Sequence, residues 1–112
     1  MKYVWSAEVD RVLCVGRSLK VIGIANWALE RSAALAALEK LFAMGVAVLG
    51  CDVYLIAGED IKQNYANCYC NRESGEGDCD FVIRSIEKVG GYIANYPHLS
   101  GRGVFFAIVP SL

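Results

Sequence analysis

The chain has 112 residues, 55% of them hydrophobic, and a formal net charge of −1. That length supports one core and one domain, and an apolar fraction above the roughly 45–50% of globular proteins excludes a disordered chain. No apolar run approaches the ~20 residues of a membrane span, the basic residues are too dispersed for a nucleic-acid module, and Glu8 and Asp10 follow Met1 too soon for a secretory signal.

The expectation is therefore a cytoplasmic protein that uses neither membrane nor nucleic acid as a partner. Five cysteines are present, Cys14, Cys51, Cys68, Cys70 and Cys79. An odd count without an export signal predicts reduced thiols. Cys14 and Cys51 stand in apolar contexts and read as small core residues.

In chain order, Ser6 is placed to cap a helix over residues 7–15, with Glu8 favourable in its first turn. Val9, Val12 and Leu13 form its apolar stripe and Gly16 stops it. Residues 21–29 are rich in strand formers and read as extended, with a helix starting at Asn26 as the alternative. Residues 31–44 form the clearest helix, with Ser32 as N-cap. Ala34, Leu35, Leu38, Leu41 and Phe42 line one face at helical spacing. Gly45 supplies the left-handed residue at its end.

Residues 46–56 follow at once as a β-branched and aliphatic run, the signature of a strand buried on both faces. Asp52 interrupts it. A charge inside an apolar strand costs several kcal/mol, roughly, unless it is paired or faces a site. Residues 57–60 are a turn, and residues 61–70 alternate imperfectly, as a strand or an extended loop. Residues 71–77 are a loop by composition. Asp78 can cap a final helix over residues 79–96, whose stripe is Val82, Ile86, Val89, Ile93 and Tyr96. Within it Gly90 and Gly91 either weaken the helix or permit close packing. Pro97 ends it. Residues 100–103 are a turn, and residues 104–109 a strand closed by Pro110. The elements predict an α+β or α/β domain over residues 1–112, a small central sheet with two main helices packed on it.

Two constellations carry chemistry. Cys68-x-Cys70 with Cys79 offers three thiolates, but the spacing is not that of paired zinc-binding cysteines, and the one histidine, His98, is distant. Packing or exposed thiols are expected there, with no metal and no cofactor. The second is acidic. Residues 50–80 hold seven acids against Lys62 and Arg72, a net of −5, while the remaining five acids and nine bases give +4. Helix N-termini and solvated loops favour acids, which accounts for Asp78 and Asp80. Tyr54, Tyr65 and Tyr69 interleaved with the charge also look like a polar protein interface. Both readings stay open.

Several stretches together resemble a bacterial family, the immunity proteins of polymorphic toxin and contact-dependent growth inhibition systems, immunity protein family forty. They are Asn26-Trp27-Ala28-Leu29, the helix with Ala34-Leu35 and Leu38-Glu39-x-Leu41, Leu49-Gly50-Cys51-Asp52-Val53-Tyr54, Asn64 through Cys70, Phe81-Val82-x-Arg84-Ser85, Tyr92-Ile93-x-x-Tyr96 and the strand ending at Pro110. This chain departs from the family pattern at Cys51, where a glycine is usual, and at Ala66 and Cys68, where Asp and Trp are common. The resemblance implies a non-catalytic protein that binds a cognate toxin domain and blocks it. Many such toxins are nucleases with basic clefts, which an acidic surface would fill and steer toward. The contact residues inferred from charge and aromatic content are Asp52, Tyr54, Tyr65, Asn67, Tyr69, Glu73, Glu76 and Asp78, on a monomer. Two competing readings remain. A small enzyme would need Asp52 within hydrogen-bond reach of a cysteine or His98 in a pocket. A homodimeric regulatory module would need a symmetric patch of exposed Tyr and Phe.

Overall fold

A computed structural model of the chain describes residues 3–98 and 103–111. The elements run α1 (Ala7–Leu13), β1 (Arg17–Ser18), a short 3-10 turn at Lys20–Ile22, β2 (Trp27–Glu30), α2 (Arg31–Ala43), β3 (Val48–Ala57), β4 (Asp60–Tyr69), α3 (Asp78–Asn95) and β5 (Gly103–Pro110). The strands form one five-stranded sheet in the order β1-β2-β5-β3-β4, and every neighbouring pair is antiparallel. The fold is α+β. The central strand expected from the apolar run is β3, paired on both edges, and the imperfectly alternating segment is its hairpin partner β4.

Strand alternation sorts the core into two sides. Cys51 and Val53 of β3, Phe106 and Ile108 of β5, Leu29 of β2 and Cys68 of β4 face the helices. They pack against Val9 and Leu13 of α1, Leu38 and Leu41 of α2, and Val89 and Ile93 of α3. The intervening residues Ala28, Tyr54, Ile56 and Ala107 form a second cluster on the opposite face with Leu19. The stretch around the 3-10 turn therefore covers that second face, but only in part. No such cover reaches the part of the sheet that carries Asp52, Asn67 and Tyr69, where Asn67 and Tyr69 are exposed and Asp52 is half-buried.

Buried polar groups fix the joints. Asn26 donates from Nδ2 to the Ile108 carbonyl at 2.9 Å, and its Oδ1 accepts from the Trp27 N–H. Ser85 accepts from the Val48 N–H at 3.1 Å and donates to the Val82 carbonyl. This supplies a partner where β3 slips register against β5 between Val48 and Gly50, since a buried N–H without one would be costly. Gly50 has φ 154°, and any Cβ there would collide with the Cys68 carbonyl oxygen. The two strands approach closely only because residue 50 has no side chain.

Several expectations are corrected. α1 ends at Leu13 rather than residue 15, and Cys14 is exposed, because the short helix turns away before that residue reaches the core. Residues 21–29 are extended only from Trp27; Val21 is 80% exposed in the 3-10 turn. β2 runs into α2 without a linker, so Glu30 is the N-cap, it makes no side-chain cap bond, and Ser32 does not cap. Phe42 is 50% exposed, lining an open depression with the first turns of α3 instead of packing under them. Gly77, not Asp78, caps α3. The expected turn at residues 100–102 lies outside the described residues. The remaining α3 stripe is as expected: Val82, Val89 and Ile93 are buried, and Ile86 is partly buried against them. Ser6 caps α1 by accepting from the Val9 N–H at 3.2 Å, and Gly45 is left-handed at φ 72°.

Chemical denaturation should rank three variants. Leu38→Ala, at a residue 2% exposed, should cost about 2–5 kcal/mol. Phe42→Ala should cost far less, its ring being half in solvent. Gly91→Ala should stabilise by about 1 kcal/mol, because a Cβ on that helical residue meets nothing within 4 Å.

Candidate functional site: an open sheet face beside Asp52

Asp52 sits in mid-strand, opposite Asn67 of β4 and Ala107 of β5. It is partly buried, and among the described residues its side chain makes no hydrogen bond or ion pair. Burial raises its carboxyl above the ordinary value, with no cation acting against the shift. Beside it lies a depression of about 250 Å³ lined by Leu49, Gly50, Asp52, Tyr69, Asn71 and Val109. Of the options the sequence left for this residue, the structure excludes a strand end and an internal donor. It leaves a carboxylate facing an open surface.

The other candidates divide. Asn67 and Tyr69 are exposed next to Asp52, Tyr69 by 64%. Tyr54 shares their face but lies under the 3-10 stretch, 1% exposed, so its ring has no surface to offer a partner. Burial, then the Asp52 charge, raises its hydroxyl. Tyr65 is 82% exposed and has φ 61°, the one left-handed residue other than glycine among those described. Its position has a cause in the register. Asp52 pairs with Asn67 but Tyr54 with Gln63, so β4 places residues 64–66 opposite Val53 alone. Asn64 turns inward and donates to the Tyr96 hydroxyl at 2.5 Å. Ala66 packs on the helix-side core. Tyr65, between them, is thrown outward, at a cost of about 1–2 kcal/mol for a left-handed residue with a Cβ.

Glu73, Glu76 and Asp78 belong to a loop held by arginines. Arg84 of α3 donates from Nε to Glu76 Oε2 at 2.7 Å and from Nη2 to Oε1 at 2.8 Å, and the same Nη2 reaches the Asn71 carbonyl at 2.6 Å. Its Nη1 donates to Cys70 Sγ at 3.3 Å and stands 3.6 Å from Glu73. This two-pronged geometry is the strong form of an arginine–carboxylate pair. The Arg84 side-chain bonds, then the Glu73 N–H, hold the Glu76 carboxyl down at about 2. Arg72 pairs with Asp78 at 2.9 Å and lies over the Phe81 ring. The Glu73 and Asp78 side chains remain 72% and 92% exposed, against 11% for Glu76. A charge count over residues 50–80 misses Arg84, which comes from the next helix. The signal that would have found it is its place nearly two turns inside α3, from which it reaches back to the loop.

Cys51 and Cys68 are direct cross-strand partners and, with Cys70, are buried; Cys79 is exposed at the start of α3. Among the described residues no group of three or more His, Cys, Asp or Glu is placed to hold a metal ion. Burial, followed by Cys68 and Asp52, pushes the Cys51 thiol up to about 12, so at neutral pH it is protonated and a poor nucleophile. His98 lines a separate depression with Glu30, Arg31 and Phe105. The structure thus does not bring Asp52, a reactive thiol and His98 into one pocket. No helix among the described residues is long and apolar enough to cross a membrane.

A sheet with helices on one side and a partly bare, tyrosine-bearing face on the other is the build of a protein-binding module. Residues 18–110 match the family Immunity protein 40, and the chain belongs to that family. The match supports an immunity role and, with it, the binding of a cognate toxin. No curated protein and no solved structure matches the chain.

Two carboxylates should respond to pH in opposite senses. Glu76 has a lowered folded value, so its stabilisation is present above about pH 4.5 and is lost as pH falls toward 2. Asp52 has a raised one, so its charged form opposes folding as pH rises. Glu76→Gln should lower the urea midpoint at pH 7 and not at pH 2, while Asp52→Asn should raise it at pH 7 and not at pH 3. In the native protein, iodoacetamide should label Cys14 and Cys79 quickly and Cys51, Cys68 and Cys70 only on unfolding, read by mass spectrometry.

Proposed function

We propose that this protein is a non-catalytic immunity protein of a polymorphic toxin or contact-dependent inhibition system. It binds its cognate toxin domain, a nuclease, in the bacterial cytoplasm and blocks it as a monomer. The observation that carries the surface assignment is the unpaired Asp52 carboxylate on the open part of the sheet. A partly desolvated carboxylate with no paired cation works against its own fold, and such groups are kept where a partner completes them.

The proposed contact surface centres on Asp52, Asn67 and Tyr69. Tyr65 stands at one side and the exposed acids Glu73 and Asp78 at the other. Tyr54 and Glu76 support it from within, one as core beneath the face and one as the anchor of the loop. Tyr65 and Tyr69 supply large, rigid area with a polar tip. The exposed acids steer a basic cleft during encounter, because rim charges act mostly on association and buried anchors on dissociation.

The test is stopped-flow binding to the toxin domain encoded beside this protein. Glu73→Lys with Asp78→Lys should slow association and flatten its salt dependence. Tyr69→Ala should speed dissociation by about 2 kcal/mol if it is a hot spot. Tyr65→Gly relieves a left-handed tyrosine and should weaken the complex without lowering the unfolding midpoint. Unchanged kinetics in all three variants would move the interface to another face.

A further inference from the structure

Resting on the reading above, the chemistry of the Asp52 depression narrows what the partner must present. Leu49, Gly50, Cys51, Tyr69 and Val109 line it beside Asp52. Asp52 is the one charged residue among those lining it, and Arg84, which donates to the Asn71 carbonyl, forms no ion pair with Asp52. At about 250 Å³ it falls below the roughly 300–1,000 Å³ of small-molecule sites, yet far exceeds the ~30 Å³ share of one water. One long side chain fits that volume. A divalent cation does not suit it, since calcium takes about 6–8 oxygens and no cluster of carboxylates is placed here.

We propose that this pocket seats one arginine side chain of the partner, with Asp52 as counter-ion, Tyr69 as stacking wall and Leu49 and Val109 against its methylenes. The guanidinium suits it better than an ammonium. It is planar, more weakly hydrated, and stacks on aromatic rings, so apolar walls cost it less. Asn71 also lines the depression, its main-chain carbonyl already accepting from Arg84. Gly50 lines the same depression, and its lack of a Cβ lets β4, which carries Tyr69, approach β3 closely there.

The pocket is tested on the protein alone with N-acetyl-arginine methylamide as probe, followed by amide chemical shifts in the NMR spectrum. Saturable shifts confined to Asp52, Tyr69, Val109 and their neighbours are expected, with none from the neutral N-acetyl-citrulline methylamide. Asp52→Asn, nearly isosteric and free of the desolvated charge, should keep the native spectrum and bind the probe at least tenfold more weakly. Equal binding by Asp52→Asn, shifts elsewhere on the surface, or tighter binding of N-acetyl-lysine methylamide would each overturn the proposal. A second arm separates it from the immunity reading. If the toxin binds Asp52→Asn as tightly as the parent protein, the pocket assignment falls and the immunity reading stands. If the arginine probe seats at Asp52 and no toxin complex forms, the immunity reading falls instead.

Discussion

The close approach of β4 to β3 at Gly50 is the constraint on which the rest of the structure depends. The Cys68 carbonyl occupies the space where residue 50 would carry its Cβ. Around that contact the backbone is rearranged on both sides. β3 shifts against β5, Ser85 takes over the Val48 N–H, and the Cys70 N–H donates to the Leu49 carbonyl at 2.8 Å. A side chain at residue 50 would force the strands apart and break these bonds together. The same contact adjoins the depression beside Asp52 and sets the point from which the loop after β4 departs. Fold and candidate site therefore share one steric requirement.

Where local pattern and tertiary environment agree, the sequence is a good guide. The stripe of α3 and the run that became β3 are long enough for period to decide them. The errors fall where a residue's surroundings come from elsewhere in the chain. Phe42 continues the α2 stripe but lines an open depression beside α3, and Cys14 sits in an apolar context that the end of α1 turns outward. Ser32 is a good capping residue in the wrong place, because β2 delivers the chain into α2 two residues earlier. Asp52 was conspicuous in the sequence because it broke a pattern. Tyr54, two residues on, carries the same character and the same face, and its burial follows from a segment some thirty positions earlier folding over it.

Electrostatics was the least legible layer. Counted along the chain, the acidic segment includes Arg72 but not Arg84, whose guanidinium holds Glu76 and stands beside Glu73 in space. What remains distinctive is the environment of the charge. Glu76 is tied to a guanidinium and stabilises the fold, whereas Asp52 is partly desolvated, has no such tie and works against it. One kind of side chain thus has opposite effects on the fold in two places, according to whether a guanidinium stands beside it.

The irregularity in β4 has an evolutionary consequence. Its residues 64–66 face one residue of β3, so the strand carries two more residues than its partner over that interval. Because side chains alternate with period two, an even surplus leaves inside and outside unexchanged. Cys68 still reaches the core and Asn67 and Tyr69 still reach the open face. A surplus of one would have inverted all three. Descendant sequences can therefore lengthen or trim this strand in pairs of residues, reshaping what projects at Tyr65 while the hydrophobic ledger beneath stays untouched. The exposed surface can change at this point without renegotiating the fold.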